Sequence, residues 1–307
     1  MAEAAITIAP ARRCAARLDG EALAGWGLAA PATALIFLLV LGPALGVLAL
    51  SFTSWQFGAA TLEWIGLANY AELARDPVFW KSLRNTLVYI GVVVPASVAG
   101  GLAVAMLVES DPSLRRFYRA AYFLPVASTL IAMAVVWQFL LHPSVGLVNR
   151  AWELLGGSPT DWLKNPRTAL GTLCAIGIWQ MLGLSMVLFL AGLKAVPGEL
   201  YDAAAIDGAD GAWERFRRVT WPLLGPTTLF VTVICAIRSF QVFDTVHVLT
   251  RGGPNKQTEV LMHTIYAEGF NFFRAGYAAA ITVLFLAVLL ALTWLQMRAA
   301  ERRVHYG

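Results

Sequence analysis

Long apolar stretches alternate with shorter polar ones along the chain. A helix that crosses a bilayer needs about 20 mainly apolar residues. Prolines inside such stretches are compatible with spans packed in a bundle, because neighbouring helices satisfy the carbonyl groups that a proline frees. We therefore expect an all-α polytopic membrane protein with about six transmembrane helices. These are predicted at residues 28–51, 84–108, 119–141, 169–193, 222–247 and 276–297.

The composition agrees with lipid as the main solvent of the chain. Hydrophobic residues make up 58% of the sequence and charged residues 14%, a balance unlike that of typical soluble domains. The formal net charge is +4, but the basic residues stand in short groups between apolar stretches, which argues against nucleic acid as a partner. The cysteines and histidines show no metal-ligand spacing, so we expect no metal site.

The distribution of Lys and Arg predicts the orientation of the spans. The short connection between the second and third spans carries Arg115, Arg116 and Arg119. Because basic residues favour cytoplasmic connections, this places both termini in the cytoplasm. The outward connections, about 52–83, 142–168 and 248–275, are long enough to receive a partner.

The connection between the fourth and fifth spans predicts two short helices separated by a glycine. Pro197 and Glu199 suit the start of a helix, and Gly208 suits the left-handed residue that ends one. Ala203 and Ala204 form a flat surface of small side chains. On physical grounds alone, the segment also fits an ordinary interfacial helix with solvated charges.

The same segment resembles the cytoplasmic EAA loop of ABC importer permeases. The residues that match are Asp202-Ala203-Ala204, Gly208 and the end of the motif, Val219-Thr220-Trp221-Pro222. The sequence departs from the family pattern in three ways: Asp at 202, Trp at 221, and one additional residue between Gly208 and Val219. In that family the loop sits in a cleft of the ATPase subunit. The resemblance implies an ATPase-coupling role for Glu199, Asp202, Ala203, Ala204, Gly208 and Arg215.

Further motifs are similar to the carbohydrate-uptake branch of these permeases. They include Tyr122-Phe123-Leu124-Pro125, Phe189-Leu190-Ala191-Gly192-Leu193 and Gly252-Gly253-Pro254, in the family's order. The resemblance covers nearly all of residues 25–307 and implies the type I ABC importer transmembrane-domain fold. It implies a cytoplasmic segment at 1–25, a first helix and outer loop at 26–75, the transmembrane domain at 76–298 with its coupling loop at 195–221, and a cytoplasmic tail at 299–307.

The resemblance also implies a set of partners in a bacterial inner membrane. These are a second related permease, two copies of an ABC ATPase, a periplasmic or lipid-anchored solute-binding protein, a sugar-like small molecule and membrane lipid. The sequence contains no GxxxxGK[ST] string, so we expect ATP and Mg on the partner ATPase subunits, with no cofactor and no enzyme activity in this chain.

The alternative is an ion-coupled secondary transporter of a small polar solute, which would carry inverted repeats and acidic residues near the bilayer midplane. No clear internal repeat is visible, and nearly all carboxylates fall in loops or at helix ends. A proton relay through Asp244, His247 and Glu268 belongs to this alternative.

A candidate substrate site centres on Arg238, roughly 24 Å along the fifth span from Pro222. A charge at this depth is expected to face a water-filled cavity or a partner. Two other interpretations stay open. In the first, the Arg238 side chain extends toward the membrane surface (snorkels) or pairs with Asp244. In the second, Gln180 and Ser239 form hydrogen bonds to neighbouring helices. Similarity to the maltose-importer permease, together with the polar Gln241, implies a substrate-binding set of Gln180, Met181, Leu184, Cys235, Arg238, Ser239, Gln241 and Val242.

Overall fold

The computed structural model describes residues 20–110, 118, 121–122, 124–126, 128–209 and 211–301. Predictions for the two terminal segments and for Arg115, Arg116 and Arg119 therefore lie outside the described residues. The chain divides into two units, Met1–Ala49 and Leu50–Gly307.

The first unit contains a long apolar helix. Helix α1 (Gly20–Ile36) runs through a π-helical turn (Phe37–Leu41) into α2 (Gly42–Leu50). Residues 25–50 are long and apolar enough to cross a membrane. Their side chains are largely exposed, with Leu28 at 85% and Leu38 at 69%, which suits a helix surrounded by lipid.

The second unit is helical throughout its described part apart from connections and one isolated bridge between Thr53 and Trp64. Two π-helical turns, Phe216–Thr220 and Ala267–Asn271, extend two of its short helices, Ala212–Arg215 and Leu261–Tyr266 respectively. The helices are α3 (Ala68–Arg75), α4 (Pro77–Ser110), α5 (Leu130–Leu140), α6 (Leu147–Leu154), α7 (Ala169–Lys194), α8 (Gly198–Ile206), α9 (Ala212–Arg215), α10 (Trp221–Leu223), α11 (Gly225–Phe240), α12 (Asp244–Leu249), α13 (Leu261–Tyr266) and α14 (Ala275–Glu301).

Five of the six predicted spans are confirmed among the described residues, at 25–50, 77–109, 169–194, 225–249 and 275–298. The third, predicted at 119–141, differs. Its described apolar helix α5 has only 11 residues and begins after Thr129, whose backbone is extended. Just before it, the Ser128 hydroxyl donates to the carbonyl of Leu124 at 2.9 Å, a local bond of the kind that competes with regular helix geometry.

The fifth span also differs from the continuous helix predicted at 222–247. Helix α11 ends at Phe240 and α12 begins at Asp244, with Gln241–Phe243 between them. Non-helical backbone at membrane depth is tolerated where protein buries it or where it lines a cavity. We therefore expect residues 241–243 to be buried by protein or to line a cavity.

The main core lies where α4, α7 and α11 pack together. Met186 and Phe189 on α7 and Val231 on α11 are fully buried there. Gly101 lets α4 approach α7 closely, since a β-carbon at this position would stand 2.4 Å from that of Ser185. These contacts fix the three helices around the break in the fifth span.

Candidate functional site

A cavity of about 480 Å³ lies beside the break between α11 and α12. Helices α4, α5 and α7 provide the other walls. Its volume falls within the range of small-molecule sites, about 300–1,000 Å³. The lining residues are Tyr89, Pro125, Val126, Ser128, Thr129, Leu130, Gln180, Met181, Leu184, Arg238, Ser239, Gln241, Val242, Phe243, Asp244 and Thr245.

The structure brings most of the predicted substrate-binding set together in this cavity. Whether these residues contact a solute stays a prediction. The predicted residues that line the cavity are Gln180, Met181, Leu184, Arg238, Ser239, Gln241 and Val242.

Cys235 is the exception, since it does not line this cavity, and its place in the substrate-binding set stays a prediction. It is fully buried in the core between α7 and α11. Its Sγ lies 3.2 Å from the hydroxyl oxygen of Ser185. Cys235 stands one turn before Arg238 on α11, where the helix faces α7 and not the cavity.

Arg238 faces the cavity and is exposed to it. Within the described part of the chain its guanidinium has no hydrogen-bond or ion-pair partner, so the alternative pairing with Asp244 is not formed. Asp244 lines the same cavity from the first turn of α12, while Arg238 occupies the last turn of α11. Each charge is favourably placed relative to its helix dipole. The cavity thus presents one cation and one anion that are both available to a solute.

Neutral hydrogen-bonding groups complete the wall. Ser239 is 3% exposed, and its buried hydroxyl lacks a partner among the described residues. Gln180 is 8% exposed and makes no bond to a neighbouring helix in the described structure. A buried hydroxyl without a partner costs about 1–3 kcal/mol, so a hydroxyl-bearing ligand would relieve this penalty. The arrangement suits a polyhydroxylated molecule.

Sequence reasoning missed several lining residues. Tyr89 comes from an apolar stretch of α4 and carries no sequence signal of its role. Ser128 and Thr129 enter the cavity because the third predicted span breaks there. The cluster of Pro125, Ser128 and Thr129 was the available signal, since Ser and Thr next to a proline disfavour a continuous helix.

The predicted sequence of helix, glycine stop and second helix after the fourth span is confirmed. Helix α8 starts after Pro197, which has an extended backbone. Gly208 adopts a φ of +80°, and its amide donates to the carbonyl of Ala205 at 3.1 Å. The amide of Ala209 donates to the carbonyl of Ala204 at 2.8 Å, which completes a glycine-based helix end.

The coupling candidates differ in their surroundings. Glu199, Asp202 and Ala203 lie exposed on α8, whereas Ala204 is half-buried. Arg215 is half-buried, and its Nε donates to the carbonyl of Ala209 at 3.1 Å, so its guanidinium supports the turn after α8. The ATPase-coupling role of the set stays a prediction.

One further contact ties α8 to the fifth span. The hydroxyl oxygens of Tyr201 and Thr220 lie 3.0 Å apart. Thr220 ends the π-helical turn that leads through α10 into α11. Helix α8 is therefore connected to the helix that carries Arg238.

A second buried polar cluster lies in the loop between α12 and α13. Glu259 is fully buried, with Oε1 2.6 Å from Nδ1 of His263 and Oε2 3.0 Å from Nζ of Lys256. Burial alone would raise the pKa of this carboxyl, but the bonds and charges of His263 and Lys256 outweigh it and hold the pKa below its ordinary value. The side-chain amide of Asn85 on α4 donates to the Glu259 carbonyl at 2.9 Å, which anchors the loop.

Comparison with known proteins agrees with this architecture. Residues 97–306 match the family model described as "Binding-protein-dependent transport system inner membrane component". A probable ABC transporter permease protein from Pyrococcus horikoshii is 35% identical over 262 residues, 85% of this chain and 89% of the relative. An sn-glycerol-3-phosphate transport system permease protein from Agrobacterium fabrum is 34% identical, covering 82% of this chain and 85% of its own.

A lactose transport system permease protein from Rhizobium radiobacter is 34% identical, over 91% of this chain and 94% of its own. The fold is shared with a chain of a bacterial ABC transporter involved in the import of the acidic polysaccharide alginate. The TM-score is 0.80 at 21% identity, over 93% of this chain and 97% of the other. The alternative of an ion-coupled secondary transporter is thereby set aside. The chain is a multi-pass membrane protein that belongs to the family of binding-protein-dependent transport system inner membrane components, the permease subunits of ABC transporters.

Proposed function

We propose that this chain is one of two permease subunits of an ATP-driven importer and that it carries a sugar or sugar-like solute by alternating access. The observation that supports this most is the cavity beside the break in the fifth span. There Arg238, Asp244 and Ser239 offer hydrogen bonds that the described chain does not use. Lactose and sn-glycerol-3-phosphate, named for two relatives, are both polyhydroxylated molecules of the kind such a wall suits.

The proposed assembly contains a second related permease, two copies of an ABC ATPase and a periplasmic or lipid-anchored solute-binding protein in a bacterial inner membrane. ATP and Mg belong to the ATPase subunits. The exposed face of α8 supports docking of an ATPase. Movement of α8 would pass through the Tyr201–Thr220 contact to α11 and so to Arg238 at the cavity.

Energy coupling is tested by reconstituting the purified complex in proteoliposomes with its solute-binding protein. We expect uptake of the solute only when ATP is present on the ATPase side. Uptake driven by a proton gradient in vesicles that lack the ATPase would contradict the proposal.

Arg238→Ala tests the cavity as the solute site. A hydrogen bond to a charged group contributes about 1.5–3 kcal/mol, so we expect the apparent affinity for the transported solute to fall about tenfold or more. Transport kinetics in the same vesicles measure this. Arg150→Ala is the matched control, because Arg150 is an exposed arginine on α6 away from the cavity. Unchanged uptake and affinity in Arg238→Ala, at normal protein levels, would reject the site.

A further inference from the structure

An apolar groove of about 660 Å³ lies between α4 and the segment from α9 to α11, separate from the solute cavity. Among its lining side chains, the indole nitrogens of the tryptophans and the hydroxyl of Thr232 are the polar groups. The lining residues are Val94, Pro95, Val98, Ala99, Leu102, Ala103, Met106, Ala212, Trp213, Phe216, Trp221 and Thr232.

The floor of the groove follows from the spacing of small residues on α4. Pro95, Ala99 and Ala103 recur every four residues, share one helix face and are all exposed. Their short side chains leave a channel beside the bulkier neighbouring row that includes Val98 and Leu102. The channel lies within the α4 span, so its apolar surface is presented at membrane depth.

Three aromatic rings form the opposite wall. The rings of Trp213 and Phe216 stack at 5.5 Å, and those of Phe216 and Trp221 lie 6.0 Å apart. Trp213 is 69% exposed and Trp221 48% exposed, although both are large apolar side chains. Exposed tryptophans of this kind favour the boundary between hydrocarbon and headgroups.

The segment that provides the aromatic wall also carries positive charge, on residues that are exposed beside the groove and do not line it. Arg217 and Arg218 follow Phe216 directly and are both exposed. Arg217 has no hydrogen-bond or ion-pair partner in the described structure, and Arg218 lies 3.9 Å from Glu214 in a solvent-exposed pair. An exposed pair at this distance contributes little, so both guanidinium groups remain available to an anion.

We propose that this groove binds an anionic phospholipid, with an acyl chain along Pro95, Ala99 and Ala103 and the headgroup phosphate at Arg217 and Arg218. Apolar walls exclude a soluble anion from the groove itself, whereas the two arginines favour an anionic headgroup over a zwitterionic one. The lipid would contact both α4 and the segment that joins α8 to α11. It is distinct from the proposed solute and binds a different part of the chain.

Native mass spectrometry of the purified complex tests the proposal with phosphatidylglycerol and phosphatidylcholine of identical acyl chains. We expect the wild-type complex to retain phosphatidylglycerol about tenfold more. The double variant R217Q/R218Q should lower its retention to the level of phosphatidylcholine. Arg150→Gln is the matched control, since Arg150 is also exposed and, like Arg218, paired with a glutamate on its own helical segment, and it should leave retention unchanged. Equal retention of the two lipids by the wild type would overturn the proposal.

The position of the acyl chain is tested separately with brominated phosphatidylglycerol, which quenches nearby tryptophans. Trp213→Phe should remove more of the quenchable fluorescence than Trp80→Phe, an exposed tryptophan at the start of α4. Ala103→Phe should fill the exposed groove and reduce quenching without entering the core. Undiminished quenching in Ala103→Phe would overturn the proposal. So would efficient cross-linking of Ala103→Cys to a cysteine of a partner permease, because the groove would then hold protein.

Discussion

Gly208 is the residue on which the shape of the predicted coupling loop (195–221) depends most directly. Its φ of +80° is readily adopted by glycine and strained for other residues, and no atom lies within 4 Å of the place that an added β-carbon would occupy. The left-handed backbone conformation, and not a lack of space, therefore disfavours a side chain at this position.

We expect Gly208→Ala to destabilise the end of α8 by about 1 kcal/mol and to reduce the ATP hydrolysis that solute stimulates in the assembled transporter. Gly211→Ala is the matched control, because Gly211 has a φ of −82° and space for a β-carbon. ATPase assays of the two variants, with thermal unfolding alongside, measure the effect. Equal behaviour of the two variants would show that the left-handed turn is dispensable.

At the residue scale, sequence succeeded where a local rule sets the conformation and failed where contacts come from distant elements. Gly208 was predictable because a glycine after a short helix ends it. The contact of Cys235 with Ser185 was not predictable, because spacing from Pro222 places Cys235 on α11 but does not say which neighbour it meets, and Ser185 lies 50 residues away in sequence. The buried Glu259 was missed for the same reason, since its anchoring partner Asn85 belongs to α4.

At the element scale, close packing of α4 on α7 is the feature that small residues make possible. A β-carbon at Gly101 would stand 2.4 Å from the β-carbon of Ser185 and 3.0 Å from the backbone nitrogen of Met186. The second contact is with backbone, so the two helices would have to move apart.

We expect Gly101→Ala to lower the free energy of unfolding by about 1–3 kcal/mol. Gly91→Ala on the same helix has no atom within 4 Å of the added β-carbon and should be neutral or slightly stabilising. Thermal unfolding of the detergent-purified proteins compares them. A melting temperature for Gly101→Ala as high as that of Gly91→Ala would contradict the packing described.

Hydropathy predicted five of the six spans, four of them within three residues at each end, whereas α4 begins seven residues before the predicted start at 84. It did not predict breaks inside apolar stretches. Residues 241–243 and 128–129 lie within apolar stretches that are long enough to continue a helix on composition alone. Their irregular backbone is tolerated because it faces a cavity, and a cavity is a property of the assembled helices. The prolines indicated kinks without indicating where a helix stops.

At the scale of the whole molecule, Glu259 joins the loop after the fifth span to the start of α4. Its carboxylate is held by Lys256 and His263, and its backbone carbonyl by Asn85. The lowered pKa means that the folded protein keeps this carboxylate ionised at pH values where the unfolded chain protonates it. The resulting stabilisation is fully present above pH 4.5, the ordinary value, and is lost as the pH falls through the lowered pKa.

Glu259→Gln should therefore unfold more easily at neutral pH, by about 1–3 kcal/mol, and should show a flatter stability profile below pH 4.5. Thermal unfolding across roughly pH 3 to 7, the range that spans carboxyl titration, measures this. Glu153→Gln changes a half-buried carboxylate on α6 and should follow the wild type. Parallel profiles for Glu259→Gln and the wild type would contradict the linkage.

The interruption at residues 241–243 divides the polar wall of the cavity between two helices, α11 and α12. Arg238 and Ser239 belong to α11, which follows α10 and the segment after α8, while Asp244 belongs to α12, which leads to the loop before α13. A solute that bridges Arg238 and Asp244 would hold α11 and α12 together. A solute that contacts only one of these residues would leave the two helices independent. We therefore expect different solutes to differ in the rate of the conformational cycle that they support as well as in their binding affinity.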